Sequence, residues 1–501
     1  MRCAAAPRLY RRRVATIAPD LLRTRAFVDG QWIDADDGTT FPVVDPATGE
    51  TLADIPRLGA AETRRAIEAA HRALPEWRAR SAKDRATVLK RLAALAGERE
   101  DELARLMVME QGKPLAEARA EVAYALSFYE WFAEEAKRVD GSVIPSPWPD
   151  KRIVVTREPV GVTAGITPWN FPAAMVTRKS APALAVGCTM VLKPAEQTPL
   201  SALALAALAE EAGIPPGVFS VVTGSAEDAP VIGGELTSNP LVRKVGFTGS
   251  TEVGKLLMRQ CAAQVKKVSL ELGGNAPFIV FDDADLEVAV DAAMICKFRN
   301  SGQTCISANR MLVQAGIYDD FLARFTDAVS QLVVADGFTD GAQVGPLIDE
   351  PAVEKVEAHV ADALERGAER VTGEGRLDGQ FYGPSVLVDV SSETRMSNEE
   401  TFGPVAAIAR FETEEEAIRI ANATPYGLAA YYMTTDLART WRVGEALEYG
   451  ILGVNTGLIS TEVAPFGGVK ESGIGREGSR WGVEDWTQMK YWAVGGLAPA
   501  H

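Results

Sequence analysis

One stretch of this 501-residue chain is the most informative about its fold class: Val245-Gly246-Phe247-Thr248-Gly249-Ser250-Thr251-Glu252-Val253-Gly254. It reads as an apolar strand, a glycine turn and the start of a helix. The N-terminus of such a helix presents free N–H groups and a positive dipole end to a phosphate. The pattern is not Gly-x-Gly-x-x-Gly, so a plain turn fits it as well as a phosphate-binding turn. A strand followed at once by a helix predicts one unit of a parallel α/β sheet.

Similar strand-then-helix units flank this stretch on both sides. Apolar runs separated by Ala- and Leu-rich helices predict a first set of parallel strands at residues 162–166, 190–193, 219–222, 245–248 and 268–272. A second alternating set predicts strands at 278–281, 310–313, 405–410 and 453–455. We therefore predict two α/β units that meet near Glu271.

The N-terminal part of the chain has a different pattern. Residues 27–32 predict a β-hairpin, and residues 60–138 are helical by their apolar period, with a capping box at Ser81 and Asp84. The proline-rich residues 144–149 predict an excursion of the chain. Because 501 residues are too many for one core, we expect two or three domains.

The charge of the chain argues against two classes of partner. The 68 acidic residues outnumber the 52 basic ones and give a net charge of -16, whereas nucleic acids and anionic membranes bind clustered Lys and Arg. No apolar run approaches the roughly 18 residues that a membrane span requires. We expect neither nucleic acid nor a membrane as partner.

Among the five cysteines, Cys305 is the candidate nucleophile. Cys188, Cys261 and Cys296 lie in apolar or helical stretches typical of small buried side chains, and no Cys-x-x-Cys spacing suggests a metal or a disulfide framework. Cys305 instead ends the polar run at residues 299–305, whose neighbours we expect to be exposed. An ordinary loop thiol remains the alternative at this point.

A carboxylate is the predicted base. The chain has only three histidines, and none is placed to pair with Cys305. Glu271 ends a predicted strand 34 positions before the thiol and could serve instead. We predict no metal site.

Polar residues also follow other strands of the first set, at the edge where open parallel sheets bind ligands. Glu196, after Lys193, could accept hydrogen bonds from a ribose, although a surface Lys-Glu pair fits the motif as well. Asn170 could donate its amide N–H to an oxyanion, or it could cap the helix that starts near Ala173.

Taken together and in order, seven segments resemble the motifs of the aldehyde dehydrogenase superfamily. The resemblance runs from about Ala26 to Gly495. Its motifs are Trp169-Asn170-Phe171-Pro172, Lys193-Pro194-Ala195-Glu196, Phe247 to Gly254, Glu271 to Gly274, Gly302 to Cys305, Glu399 to Pro404 and Pro465 to Gly478.

The resemblance implies an aldehyde dehydrogenase-like α/β fold built from three parts. A Rossmann-type NAD-binding domain is expected at residues 21–140 and 161–272, and an α/β catalytic domain at residues 273–483. A small β-hairpin domain at residues 141–160 and 484–498 is expected to bridge subunits, which makes a homo-oligomer, a dimer or a tetramer, the expected state.

The mechanism that the resemblance implies is covalent. The thiolate of Cys305 attacks an aldehyde, and the amide of Asn170 and the backbone N–H of Cys305 hold the oxyanion. Hydride then passes to nicotinamide and leaves a thioester. A water activated by Glu271 hydrolyses the thioester. Lys179 and Glu477 match residues proposed to relay protons to this base.

The resemblance also implies cofactor contacts. The matching positions are Trp169, Lys193, Glu196, Gly249, Ser250, Gly254, Glu400 and Phe402, of which the last two match the positions that hold the nicotinamide ribose and ring. A carboxylate at Glu196 repels the 2′-phosphate of NADP, so we predict that NAD is preferred, with NADP still possible.

Within the superfamily, the chain is most similar to succinate-semialdehyde dehydrogenases. Arg178 and Arg299 match the arginines that bind the substrate carboxylate, and Ser460 matches a supporting hydroxyl. Structural ion pairs are the alternative for both arginines. Glutarate semialdehyde is the rival substrate, and a catalytically retired scaffold is the rival class. The regulatory Cys-x-Cys of some members is absent, since Cys305-Ile306-Ser307 stands there.

The first nineteen residues hold five arginines and no acidic residue before Asp20. A transit peptide would explain them, and so would a disordered extension at residues 1–20 or an upstream start codon. We expect a cytoplasmic protein, or one in an organelle if the segment is a transit peptide.

Overall fold

The computed structural model describes residues 17–497. Its strands are, in chain order, β1 (Ala26–Val28), β2 (Gln31–Ile33), β3 (Thr40–Val44), β4 (Thr51–Pro56), β5 (Ser142–Ile144), β6 (Arg152–Pro159), β7 (Val162–Ile166), β8 (Thr189–Lys193), β9 (Phe219–Val221), β10 (Val242–Thr248), β11 (Lys267–Glu271), β12 (Ala276–Val280), β13 (Ala308–Gln314), β14 (Glu369–Thr372), β15 (Ser385–Val388), β16 (Val405–Phe411), β17 (Ala429–Met433), β18 (Ile451–Val454), β19 (Gly473–Ile474) and β20 (Thr487–Val494).

The helices lie mostly between these strands. They are α1 (Ala60–Ala79), α2 (Ala82–Glu98), α3 (Glu100–Gln111), α4 (Leu115–Glu135), α5 (Ala174–Val186), α6 (Pro199–Ala212), α7 (Ala229–Ser238), α8 (Thr251–Ala262), α9 (Leu286–Phe298), α10 (Tyr318–Ser330), α11 (Glu350–Glu365), α12 (Arg395–Asn398), α13 (Glu414–Asn422) and α14 (Leu437–Ala446). Short 3-10 turns include Arg299–Gly302, which leads to Cys305.

The first sheet has eight strands in the order β19-β11-β10-β7-β8-β9-β1-β2. Its central strands, from β11 to β9, are parallel, whereas β19 at one edge and β1 and β2 at the other are antiparallel. Strands such as β8 are buried along their whole length, because helices cover both faces. The predicted parallel unit is therefore present, and the predicted hairpin of β1 and β2 forms one of its antiparallel edges.

The second sheet has seven strands in the order β14-β15-β16-β13-β12-β17-β18. All of them except the edge strand β14 are parallel to their neighbours. The chain passes from the first sheet to the second between Glu271 and Ala276, at the point where the sequence predicted that the two units meet.

The chain also forms two small antiparallel sheets. β3 pairs with β4, and β20 pairs with β6, which in turn pairs with β5. The three-stranded sheet carries the proline-rich segment between β5 and β6 and is exposed along most of β20. No helix between residues 17 and 497 is long and apolar enough to cross a membrane.

The predicted N-terminal extension lies mostly outside the described residues. Its described end is folded: Ile17 is 4% exposed and packs in the same core as Leu21. Asp20 accepts hydrogen bonds from Arg99, so the packed part of the chain begins before residue 20.

Candidate active site

The site lies at the carboxyl ends of the parallel strands of the first sheet. β7 leads to Asn170, β10 leads to the glycine turn at Gly249, and β11 ends at Glu271. A cavity of about 350 Å³ opens there, and the second half of the chain closes its other side. Its lining includes Trp169, Asn170, Gly249, Ser250, Glu271, Cys305, Glu400 and Phe402. Open parallel sheets bind ligands at this edge.

The loop before Cys305 has an unusual backbone. Asn300 and Ser301 have φ angles of 52° and 57°, in the left-handed region that costs a non-glycine residue on the order of 1 kcal/mol or more. Gly302 continues the same conformation with a φ of 74°. Such a loop persists only where its surroundings hold it.

Side chains from α3 and α4 hold this loop. The Asn300 N–H donates to Glu117 Oε2 at 2.8 Å, and Gln111 Nε2 donates to Asn300 Oδ1 at 3.0 Å. Ser301 Oγ donates to the Gly345 carbonyl, and Gln303 Oε1 accepts from the N–H of Ile348. These bonds tie the nucleophile loop to the helical layer and to the segment before α11.

Asn170 is fixed by the same network. Its carbonyl accepts from Lys113 Nζ and from Asn300 Nδ2, both at 2.9 Å, and its own Nδ2 donates to the Gln303 carbonyl at 3.0 Å. One amide hydrogen therefore orients the side chain, and the second remains for a ligand in the cavity. Asn170 does not cap α5, since Glu121 accepts from the N–H groups of Ala173 and Ala174.

Cys305 is half-buried, and the prediction that its neighbours are exposed is wrong. Asn300, Ser301, Gln303 and Thr304 are each at most 5% exposed, because their polar groups find partners within the protein. Burial, together with the nearby Glu400 and Glu271, raises the pKa of the Cys305 thiol to about 12, while Arg178 and Arg299 act in the opposite direction. The other described cysteines, Cys188, Cys261 and Cys296, are buried as predicted.

Glu271 is a buried carboxyl group whose basicity is raised by its surroundings. Neither of its oxygens has a hydrogen-bond partner among the described residues. Burial and the nearby Glu477 raise its pKa well above the ordinary value, while Arg178 and Lys179 act in the opposite direction. A Cβ on Gly467 would lie 2.9 Å from Glu271 Oε1, so that glycine leaves room for the carboxyl group.

A buried charge cluster lies behind Glu271. Glu477 Oε1 accepts from Lys179 Nζ at 2.7 Å, and its Oε2 lies 2.8 Å from Arg178 Nε. Burial alone would raise the pKa of Glu477, but Lys179 and Arg178 outweigh it and lower the pKa below the ordinary value. Within the cluster the pKa of Glu477 is therefore lowered and that of Glu271 is raised.

The predicted anchor residues, those expected to bind the substrate carboxylate, are Arg178, Arg299 and Ser460, and both arginines lower the pKa of Cys305. Arg178 is 2% exposed and packs on the ring of Phe466 at 4.0 Å, and its Nη2 finds no acceptor within residues 17–497. Arg299 Nη2 donates to Ser460 Oγ at 3.5 Å, and its guanidinium lies 5.4 Å from the ring of Phe171. Arg178, predicted as an anchor, is thus also the partner of Glu477.

The predicted cofactor residues Trp169, Gly249, Ser250, Glu400 and Phe402 line the cavity. Ser250 caps α8 by accepting from Val253, and the α8 N-terminus faces the space between Gly249 and Gly273. Glu400 Oε1 accepts from the Gly274 N–H at 3.2 Å, and the rings of Phe402 and Trp169 pack edge to face at 5.5 Å. Thr251 Oγ1 is buried with no partner among the described residues.

These features fit a dinucleotide. The helix N-terminus suits a pyrophosphate, and the unpartnered Thr251 hydroxyl and the aromatic wall suit the groups on either side of it. A Cβ on Gly254 would lie 2.4 Å from Leu272, so this glycine lets α8 pack closely on β11. Burial raises the pKa of Glu400 to about 7, so its carboxyl can exchange a proton near neutrality.

Lys193 and Glu196 lie at the end of β8, as the sequence predicted. Lys193 Nζ donates to the Pro194 carbonyl and lies 3.6 Å from Glu196 Oε2. The Glu196 side chain is 28% exposed and borders a second cavity of about 400 Å³. Its charge is thus partly balanced by Lys193.

Sequence reasoning missed Lys113 and the residues of α4 that face the site. Lys113, just before α4, and Glu117, Glu121 and Tyr124 within it support the loop or lie beside it. The signal was available, because Glu117, Glu121 and Tyr124 recur at helical spacing on one face of an otherwise Ala-rich and aromatic helix. Buried acids on a helix face usually have partners that a sequence pattern cannot identify.

Comparisons with known proteins agree with this geometry. Residues 32–492 match the model of the aldehyde dehydrogenase family. A glutarate-semialdehyde dehydrogenase of Pseudomonas aeruginosa is 61% identical over 95% of this chain and 99% of its own length. An NADP(+) succinate-semialdehyde dehydrogenase of Escherichia coli is 60% identical over 95% and 98%. A crystal structure of an NADP-dependent enzyme of Escherichia coli superposes with a TM-score of 0.94 at 59% identity, over 95% of this chain and 99% of that one.

The chain belongs to the aldehyde dehydrogenase family. It is an oxidoreductase of the NAD(P)-dependent type.

Proposed function

We propose that this enzyme oxidises succinate semialdehyde to succinate. The observation that carries the proposal is the pair of guanidinium groups beside Cys305, one of which has a buried N–H without an acceptor in the described chain. An aldehyde whose far end is a carboxylate would satisfy that N–H. A relative named for this activity, at 60% identity, supports the same substrate.

In the proposed reaction Cys305 is the nucleophile. The thiol gives up its proton to solvent, its sulfur bonds to the aldehyde carbon, and the carbonyl π electron pair moves to the oxygen. The free amide hydrogen of Asn170 and the backbone N–H of Cys305 stabilise the resulting oxyanion. A bound oxidised nicotinamide supplies the hydride acceptor. Loss of hydride from the carbon leaves an acyl group on Cys305 as a thioester.

Glu271 is the proposed base for hydrolysis. In its ionised form, a carboxylate whose pKa is raised above the ordinary value is a stronger base and can take a proton from water. The water oxygen bonds to the acyl carbon, the bond to Cys305 sulfur breaks, and the carboxylic acid leaves. Lys179 and Glu477 are proposed to relay the proton outward, which their 2.7 Å contact supports.

The test compares charged and uncharged substrates. Arg299→Ala is expected to lower kcat/KM for succinate semialdehyde on the order of tenfold or more, while sparing butanal, because only the first substrate has a carboxylate to lose its partner. Arg410→Ala is a matched control, since Arg410 also lies over an aromatic ring, that of Tyr318, but far from Cys305. Equal losses on both aldehydes would contradict the proposal.

Glutarate semialdehyde is the second candidate substrate. A relative that carries this activity in its name, at 61% identity, favours it. The two substrates differ by one methylene, which a pocket separates by about 1 to 3 kcal/mol. Steady-state comparison of the two semialdehydes decides between them.

We infer that NAD is the preferred cofactor. Glu196 supports this preference, because a carboxylate near the ribose 2′ position repels a phosphate. Two similar proteins are described as NADP-dependent, and the proximity of Lys193 weakens the repulsion. A higher kcat/KM with NADP than with NAD would refute the preference. In that case Glu196→Gln should have little effect on the ratio of the two kcat/KM values.

The domain boundaries, assembly and localisation are also proposals. We infer a cofactor domain at residues 21–140 and 161–272, a catalytic domain at residues 273–483 and a bridging domain at residues 141–160 and 484–498. The exposed three-stranded sheet supports assembly into a dimer or tetramer. A cytoplasmic location is our proposal, while a plant relative at 56% identity is named as mitochondrial.

A further inference from the structure

The hydroxyl of Tyr124 is buried near the active site, and the proposed reaction assigns it no role. It lies on α4 and has no hydrogen-bond partner in the part of the chain that the structure describes. A buried hydroxyl left without a partner costs about 1 to 3 kcal/mol. Such groups in a native protein call for an explanation, and one explanation is a missing ligand.

The surroundings of Tyr124 are those of the anchor residues. Its ring packs edge to face on Phe128 at 5.0 Å, and the Arg178 guanidinium lies 5.9 Å from that same Phe128 ring. The hydroxyl is within electrostatic range of Arg178, Arg299 and Cys305. Tyr124 thus lies near both guanidinium groups and the thiol.

The loop that carries Ser460 is attached to the same helix. Ser127 Oγ, one turn along α4 from Tyr124, donates to Glu462 Oε2 at 3.3 Å. Arg299 in turn donates to Ser460. Tyr124, Arg178, Arg299 and Ser460 therefore come from four separate segments of the chain, and the first three lie within electrostatic range of Cys305.

Arg178 and Arg299 alone do not supply all the hydrogen-bond donors that a carboxylate can accept. Arg178 Nε lies 2.8 Å from Glu477 Oε2 and part of its charge is thereby balanced, but neither its Nε nor its Nη2 has a hydrogen-bond acceptor in residues 17–497. A carboxylate offers about four lone-pair sites and is best held by several directed donors. A neutral hydroxyl adds a donor without adding charge.

We propose that Tyr124 is a specificity-determining residue whose hydroxyl donates a hydrogen bond to the distal carboxylate of the substrate. The inference rests on the proposed function, since it requires a substrate that ends in a carboxylate. It adds to the two arginines a directional donor on a rigid helix. Burial, which the charges of Arg178 and Arg299 oppose, raises the pKa of Tyr124, so the phenol stays protonated as a donor at neutral pH.

The test removes one oxygen atom and compares two tyrosines of the same helix. Tyr124→Phe is expected to raise KM for succinate semialdehyde by about tenfold, because a hydrogen bond to a charged group is lost, and to leave KM for butanal unchanged. Tyr129→Phe is the matched control, since the Tyr129 hydroxyl already pairs with Ser180 at 3.0 Å. Its KM for both aldehydes should equal that of the wild type.

Thermal unfolding gives a readout that a merely structural role would not produce. Without ligand, Tyr124→Phe should not lower Tm, because the hydroxyl has no partner to lose, whereas Tyr129→Phe should lower it. Succinate should raise the Tm of the wild type and of Tyr129→Phe more than that of Tyr124→Phe, because binding to the folded state stabilises it.

The outcomes separate this inference from the proposed function. If the wild type shows no preference for succinate semialdehyde over butanal, the proposed function fails and the role of Tyr124 fails with it. If the wild type shows the preference and Tyr124→Phe keeps it in full, the proposed function stands and the inference about Tyr124 is overturned.

Discussion

Cys305 lies in surroundings that keep its thiol protonated in the free enzyme. Burial is the main cause of its raised pKa of about 12, and the carboxyl groups of Glu400 and Glu271 add to it. Arg178 and Arg299 lower that pKa but do not outweigh burial. The nucleophile is therefore held in an unreactive form, and a change in its surroundings must accompany catalysis.

This protonation state predicts the pH dependence of alkylation. Only the thiolate reacts with iodoacetamide, so the rate at Cys305 without cofactor should rise about tenfold per pH unit from pH 7 to 10 without levelling off. Cys305→Ser gives the background from the other cysteines. A plateau reached below pH 8 would contradict the account.

At the residue scale the sequence identified the chemistry but not its environment. The scarcity of alternatives pointed to Cys305 and Glu271, and both line the same cavity. The sequence predicted that the polar neighbours of Cys305 are exposed. They are buried instead, because Asn300 and Gln303 bond to distant partners such as Gln111 and Pro346. A local pattern contains no information about such pairing.

At the scale of elements, α4 acts as a support for the active site. Lys113 just before it and Glu121 within it form a fully buried pair, and Lys113 also donates to the Asn170 carbonyl. Glu121 at the same time caps α5 through Ala173 and Ala174. One buried ion pair thus joins α4, α5 and the segment that carries Asn170.

Removing this pair should affect catalysis more than substrate binding. Lys113→Met leaves Glu121 buried without its partner and should destabilise the protein by about 3 to 5 kcal/mol. The double variant Lys113→Met with Glu121→Gln removes both charges and should recover most of that stability. It should still show a lowered kcat with little change in KM, because Asn170 is less firmly held.

Denaturant unfolding and steady-state kinetics on both variants check this prediction. Glu110→Gln is a control, since Glu110 is an equally buried acid that caps α6 away from the cavity. A double variant with the wild-type kcat would show that the pair serves stability alone.

The elements themselves were predicted with uneven success. The parallel strands of the first sheet were found because strand and helix alternate with short connections, and the hairpin of β1 and β2 was also found. β17 was missed although it lies next to β12 in the second sheet, because Ala429–Met433 is short and starts with alanines. β19 pairs with β11 across some 200 residues, a pairing that no local pattern shows.

At the scale of the whole molecule, the three-stranded sheet leaves an apolar face open. Met489 and Tyr491 on β20 are 74% and 59% exposed, and Ile144 on β5, which the register through Ile153 places on the same face, is 45% exposed. Alternate residues of a strand point to opposite faces, so Met489 and Tyr491 share one face and Gln488 and Lys490 the other. An exposed apolar face on a small sheet marks an interaction surface.

Charges placed on that face should weaken assembly. Met489→Glu with Tyr491→Glu is expected to lower the molar mass measured by light scattering after size-exclusion chromatography, since burial of two carboxylates is unfavourable. Gln488→Glu adds a charge to the opposite face and should leave the mass unchanged. Wild-type mass for the double variant would show that subunits associate through another surface.

The most direct test of the account concerns the thioester on Cys305. Glu271→Gln keeps the shape of the side chain but cannot take a proton from water. Mixed with succinate semialdehyde and oxidised cofactor, it should release about one equivalent of reduced cofactor per active site and then nearly stop. Mass spectrometry of the quenched protein should locate a succinyl group on Cys305. Undiminished turnover without this acyl group would contradict the account.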